Sequence, residues 1–321
     1  MGTTSQKCQW VGFYTAAPST LSRKITVDGG YIKGGANFRA NDNSNFFFNV
    51  GQIMRPPSFD GVFPNADYDF EEADDILNES FTSFELGYGF RSSNFKGTIN
   101  AYHTVWGDRT LRRSTSIDDQ GVRIIYSGVE QTHQGIEGEM TWYPSSRLRI
   151  NGMFSLGDWK YTKNFQGDAY FIDNNQPAGS TGTLYLDGVK IGDAAQTVLY
   201  LGFDYKLSSN LSVDFDMMSY DNLHGRFGPL DSEFNSDNNR GSIKLPSWGT
   251  ADLGATYSFN LLGYDARARL NVNNLFDEEY LSQSQTNFHN DGGRTWNGIN
   301  VENNVYFGKG TTWNLGLNIN F

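Results

Sequence analysis

The chain closes on TTWNLGLNINF, residues 311–321. Trp313, Leu315, Leu317, Ile319 and Phe321 alternate with Asn314, Gly316, Asn318 and Asn320. A period of two belongs to a β-strand with one apolar and one polar face. The same pattern recurs upstream. Leu199, Leu201, Phe203 and Tyr205 alternate with Tyr200, Gly202, Asp204 and Lys206. Tyr264, Ala266, Ala268, Leu270 and Val272 alternate with Asp265, Arg267, Arg269 and Asn271. No stretch has a convincing helical period.

This reading gives about eleven strands, at 31–40, 45–53, 81–91, 95–106, 122–143, 148–161, 195–207, 211–220, 248–259, 264–274 and 311–321. The segments between them decide what the strands build. Tight turns at 41–44, 92–94, 144–147, 208–210 and 260–263 alternate without exception with long polar connections at 54–80, 107–121, 162–194, 221–247 and 275–310. A soluble sandwich has no reason to place all its short turns at one end. An outer-membrane barrel does, because its periplasmic turns are short and its outer loops long. On this reading Asp265, Arg267, Arg269, Asp214 and Asp216 face a wet lumen, while Tyr264, Leu270 and Val272 face lipid. Trp142, Tyr143, Tyr161, Trp248, Phe259 and Trp313 lie near strand ends and suit interfacial girdles.

Composition bounds the rest. The 321 residues are 38% hydrophobic and 15% aromatic, with mean hydropathy −0.52. No apolar run is long enough for a transmembrane helix, and the start lacks the apolar core of a secretory signal. A net charge of −11 argues against a nucleic-acid partner. The single cysteine, Cys8, excludes an internal disulfide.

Several segments together resemble the TonB-dependent outer-membrane receptors. LNVNNLFDEEY (270–280), followed by VYFGKGTTWNLGLNINF (305–321), is similar to the end of their barrels. GQIMRPPSFDGVFPN (51–65), FELGYGFRSSNFKGTINAYHTVWGDR (84–109) and GVEQTHQGIEGEMTWYPSSRLRINGMFSLGDW (128–159) resemble family stretches in the same order. The wording is nearest to Bacteroidota-type receptors, and the resemblance spans roughly 31–321. It implies an all-β, antiparallel transmembrane barrel in the bacterial outer membrane. It also implies a closing strand read by the barrel-assembly machinery, with Trp313 and Phe321 in the signal. Such receptors carry a plug domain and a barrel of about 22 strands. This chain has roughly half those strands and no plug-like pattern. The expectation is a carboxy-terminal barrel half at 31–321, preceded by an irregular or partial strand over 1–30.

The implied function is reception and import of a scarce nutrient: a ferric siderophore, a similar chelate or an oligosaccharide. The implied partners are outer-membrane lipid and a TonB energy-coupling complex acting through a plug absent from this chain. Two rivals are a complete passive porin of twelve strands, with 21–28 as the twelfth, and a soluble β-rich adhesin module.

No enzyme signature is present, and no cofactor is expected. His103, His133, His224 and His289 are scattered without ligand spacing. The loop 287–307 gathers His289, Arg294, Trp296 and Tyr306, a mixture suited to stacking on rings and gripping carboxylates, or to an ordinary outer loop. Asp67, Asp69 and Glu71 offer alternating oxygens for calcium, against the plainer reading of a solvated loop. SEFNSDNNRG (232–241) carries the same ambiguity.

Overall fold

The computed structural model describes residues 2–14, 21–63, 77–174, 176–228 and 231–320. The first strands are β1 (Gly2–Tyr14), β2 (Leu21–Arg39), β3 (Ser44–Arg55) and β4 (Glu79–Arg91). Then come β5 (Phe95–Ile117), β6 (Gln120–Ser145), β7 (Leu148–Tyr161), β8 (Phe165–Phe171) and β9 (Pro177–Leu184). β10 (Thr197–Lys206), β11 (Leu211–Asp221), β12 (Trp248–Leu261) and β13 (Tyr264–Asn273) follow. Short strands β14 (Leu281–Ser284), β15 (Thr295–Trp296), β16 (Ile299–Asn300) and β17 (Val305–Phe307) precede β18 (Thr312–Asn320). The α-helix among the described residues is one turn, Phe59–Val62.

One antiparallel meander runs β1-β2-β3-β4-β5-β6-β7-β10-β11-β12-β13-β18. All eleven expected strands lie on this path. The differences are at the start and at the loop end. Residues 21–28 are the first half of β2, continuous with 29–39, and the twelfth strand is 2–14. The twelve-strand porin reading therefore named the wrong segment. Gly29 and Gly30 weaken the strand signal in sequence, yet both keep their register, opposite Gln6 and Ser5.

Register makes the two faces explicit. Phe95, Trp142, Ile150, Phe203, Phe215, Leu253, Val272 and Trp313 stand opposite one another in turn across eight strands. One residue along, Arg149, Asp204, Asp214, Gly254, Asn271 and Asn314 form a polar row. A one-residue slip would exchange the rows, so a difference in surroundings between the two faces fixes the register. On the polar face Arg149 Nε donates to Asp204 at 2.8 Å, and Arg269 Nη2 donates to Asp214 at 2.8 Å. Arg269 reaches Asp214 across the strand between them because Gly254 stands there. A Cβ at that position would collide with both side chains.

The turns sit where expected. The long connections do not stay irregular. Residues 107–121 are mostly strand: β5 and β6 continue past the wall and close at Asp118-Asp119, with φ of 50° and 62°. β8 adds to β6, and β9 adds to β8. Val122, Ile124, Tyr126, Val129, Phe165, Ala169, Leu184, Leu186, Val189 and Phe234 form a buried cluster beneath this outer layer. A second cluster joins Leu223, Ile243, Leu245 and Leu281. Two girdle assignments change as a result. Tyr161 packs on Phe227 at 5.7 Å, and Trp248 is stacked between Tyr220 (4.8 Å) and Tyr280 (5.2 Å). Trp142 and Trp313 do lie on the apolar face, exposed.

Candidate functional site

The outer layer brings two polar segments together, 231–241 and 287–302. The first begins with a 3₁₀ turn, Ser232–Asn235, whose entry is capped by Asp231 Oδ1 accepting from Glu233 N at 3.0 Å. Phe234 anchors that turn. It is fully buried, with its ring 4.3 Å from Phe227. With Phe234 turned inward, its neighbour Glu233 faces the cleft.

The second segment holds one short ladder, β15 with β16, and is braced further by side chains. Buried Asn303 accepts from Phe288 N (2.8 Å) and Thr286 Oγ1 (3.0 Å), and donates to the carbonyls of Phe288 (2.8 Å) and Asn300 (3.1 Å). That uses the full capacity of one amide. Asn297 and Gly298, with φ of 45° and 85°, make the two-residue turn between β15 and β16. Asn-Gly is the commonest signal for such a turn.

Arg240 joins the segments. Its Nη2 donates to Glu233 Oε2 at 2.7 Å, and its Nη1 donates to Asp291 Oδ1 at 2.6 Å. The Arg240 guanidinium holds the Glu233 carboxyl below the usual carboxylate range. The same contacts hold Arg240 more firmly in its charged form. His289 Nε2 lies 3.0 Å from the Gly241 carbonyl. A carbonyl only accepts, so Nε2 carries the proton and Nδ1 is the acceptor of the neutral ring.

Between the segments lies an open cleft of about 550 Å³, lined by Glu233, Arg240, His289, Asp291, Arg294 and Glu302 among others. Arg294 is exposed there, and among the described residues its guanidinium has no carboxylate partner. Of the four loop residues singled out in sequence, His289 and Arg294 therefore share the cleft. Trp296 does not: it packs edge-on against Phe307 at 5.1 Å, beside the second buried cluster. Tyr306 lies on β17, exposed and outside the cleft lining. The clamp of Arg240 on Glu233 and Asp291 was not legible, because Asp291 is fifty-one residues away in sequence. Asp67, Asp69 and Glu71 lie outside the described residues, as does Phe321. Among the described residues no group of three or more metal-ligating side chains occurs.

A second polar cleft, about 720 Å³, lies at the turn end of the polar face. Arg39, Asn45, Arg91, Lys96, Glu139 and Tyr200 are among its walls.

Residues 16–275 match the family model described as TonB dependent receptor-like, beta-barrel. Among solved structures, the siderophore receptor PiuA from Acinetobacter baumannii matches over 95% of this chain and 37% of its own. It does so at 15% identity and TM-score 0.64. The ferric yersiniabactin uptake receptor FyuA from Yersinia pestis matches over 99% and 42%, at 13% identity and TM-score 0.60. The copper transporter OprC matches over 94% and 40%, at 14% identity and TM-score 0.58. At these identities the likeness shows the fold alone, and the chain spans about two-fifths of each structure's length. No curated protein matches by sequence. The chain belongs to the TonB-dependent receptor family, as part of its β-barrel.

Proposed function

We propose that this chain supplies wall and outer mouth to a receptor that captures a scarce nutrient as an anionic chelate, a ferric siderophore being the leading class. The family is one of outer-membrane receptors and transporters, so the apolar rows meet lipid and the polar rows face the lumen. The observation that carries the reading is the outer cleft, where unpaired Arg294 stands beside His289. A guanidinium presents a planar fork to carboxylate or phenolate oxygens. The imidazole Nδ1 of His289 can accept from a ligand hydroxyl. An oligosaccharide is the second class, favoured by the amide-rich floor of Asn287 and Asn300 in the same cleft.

In this proposal energy coupling reaches the ligand through a plug set against the polar face, and TonB pulls on that plug. The barrel-assembly machinery engages β18, with Trp313 and Phe321 in its signal. The edge strands β1 and β18 take further strands as partners in the bilayer, since unpaired backbone groups there are costly. Family membership displaces the passive-porin and adhesin readings.

The test is tryptophan-fluorescence titration of the detergent-purified chain with ferric citrate, a ferric catecholate and a maltooligosaccharide. Arg294→Ala should weaken binding of a ferric chelate by about tenfold, the size expected for a charged hydrogen bond. Binding of every chelate unchanged by Arg294→Ala and by His289→Ala would remove the cleft from the ligand path.

A further inference from the structure

The lipid-facing wall changes character sharply on its way to the loop end. On β7, Leu148, Ile150, Phe154 and Leu156 are followed on the same face by Asp158 and Lys160. On β6, Trp142, Met140 and Ile136 give way to Gln134, and on β5 Ile99 and Ala101 give way to His103. Register sets His103, Gln134 and Asp158 side by side. They are bonded in a chain. His103 Nδ1 donates to Gln134 Oε1 at 3.1 Å, and Gln134 Nε2 donates to Asp158 Oδ2 at 3.2 Å.

Asp158 also receives two ammonium groups. Lys160 Nζ lies 3.4 Å from it, and Lys190 Nζ forms a closer ion pair. Lys190 arrives from the outer layer as the bridge partner of Lys160. The bridge is held firmly. Tyr161 N donates to Val189 O at 2.9 Å, and Ile191 N donates to Trp159 O at 3.0 Å. Gln196, 1% exposed, donates to the carbonyls of Trp159 and Ile191 and accepts from Trp159 N. Like charges at facing ladder positions repel. One carboxylate balances only one of the two lysines, so the corner keeps an excess positive charge. Both lysine side chains remain 38% exposed.

We propose that Lys160 and Lys190 seat the phosphate of an outer-leaflet lipid headgroup. The corner stands one strand step above Leu156 and Ile136, which are 48% and 46% exposed on the same face. Apolar side chains below and ammonium groups above match a molecule with acyl chains below and phosphate above. A free phosphate ion would use only the upper half of that surface. The seat rests on the outer-membrane location of the family and not on the nutrient cleft, so the two readings fail separately.

The experiment is native mass spectrometry of the chain in mild detergent, offered bisphosphorylated lipid A, the same lipid dephosphorylated, and inorganic phosphate as competitor. The phosphorylated lipid should be retained and the dephosphorylated one lost. Lys160→Gln and Lys190→Gln should each lower retention by about fivefold, the effect expected of one lysine at an anionic surface. Lys206→Gln, at the turn end, should change nothing. Asp158→Asn removes the competing carboxylate and should raise retention. Equal retention of both lipids would overturn the proposal. So would Asp158→Asn weakening retention as strongly as the lysine changes, since the cluster would then be only a staple between wall and loop. Displacement of the lipid by inorganic phosphate at matched concentration would overturn the lipid assignment. Far-UV circular dichroism of each variant separates these outcomes from misfolding.

Discussion

From β4 to β18 the wall repeats a single operation: each strand pairs with the next, and each residue faces the side opposite its neighbour. The layer above it combines a short run of ladders, the outer halves of β5 and β6 with β8 and β9, with the largely irregular segments 221–247 and 275–310. Those irregular segments are held through single side chains. Asn303 braces one loop, Arg240 joins two, Gln196 locks a bridge, and Phe234 plugs a cluster. The wall is stabilised by its solvent, because lipid offers backbone groups no partner and enforces complete pairing. The outer layer is an ordinary water-facing packing problem, solved by a small core and buried amides. The two regions should therefore fail independently, and for different reasons.

The most damaging change to the wall is a charge on its lipid face. Leu253 stands between Phe215 and Val272 in the apolar row. Leu253→Arg should cost about 2–4 kcal/mol when the site lies at bilayer mid-depth. Urea titration in lipid vesicles would measure this. Asn271→Arg, on the polar face of the neighbouring strand, should be nearly neutral. Equal damage from both would mean that the two faces do not differ in their solvent.

The outer layer is tested at its plug. Phe234 is fully buried, and Phe234→Ala should cost about 3–5 kcal/mol within that layer. Hydrogen exchange should show β8, β9 and residues 231–241 losing protection while β10–β13 keep theirs. Loss of protection throughout would merge the two regions into one cooperative unit and end the comparison.

The same contrast explains what could be read in sequence. All eleven expected strands lie in the wall, where Trp313, Leu315 and Leu317 or Leu199, Leu201 and Phe203 state their face without reference to anything distant. The outer half of β5, residues 107–117, was missed and read as part of a connection, because GDRTLRRSTSI has only Leu111 and Ile117 as large apolar residues and shows no alternation, whereas its partner stretch of β6 falls within the expected strand 122–143. Val122, Arg123 and Ile124 are all buried, so alternation fades at the start of that expected strand. β1 was missed because its sequence, GTTSQKCQWVGFY, has no clean period. In the cleft, residue type located His289 and Arg294, whose loop is locally enriched. Trp296 packs instead beside the second buried cluster, and residue type alone does not separate an aromatic that packs from one that binds. The turn Asn297-Gly298 was a signal available in sequence that would have turned Trp296 into a hairpin residue.

A smaller effect belongs to Asn303. It is buried with all its hydrogen-bonding capacity used, so Asn303→Ala leaves the amide and the carbonyl of Phe288 without the partner they have here, while the Asn300 carbonyl keeps the backbone N–H of residue 303. A loss of about 1–3 kcal/mol is expected. It should appear as faster proteolysis between 287 and 302, with β18 unaffected. Unchanged cleavage there would mean that backbone contacts, not the amide, hold the segment.

The smallest expected effect is a pH response of the outer layer that the wall does not share. Burial pushes the His224 imidazole below its ordinary 6.5, and its Nδ1 lies 3.1 Å from the Ser242 carbonyl, to which it donates while neutral. The folded layer then binds fewer protons than the unfolded one. Its stability is fully present above about 6.5 and falls as pH drops from there toward the folded value. Glu233 acts lower on the scale. Its carboxyl is held below its ordinary 4.5 by Arg240, so that contribution persists through mild acid and is lost only as pH falls through the depressed value. Two steps are expected in the protection of residues 231–241, an earlier one from His224 and a later one from Glu233. Arg240→Gln should flatten the later step and His224→Gln the earlier one, each changing exchange rates by less than about tenfold. Acid loss that survives both substitutions would assign the response to other groups, and the clamp of Arg240 on Glu233 would then be an exposed ion pair with no measurable hold on the mouth.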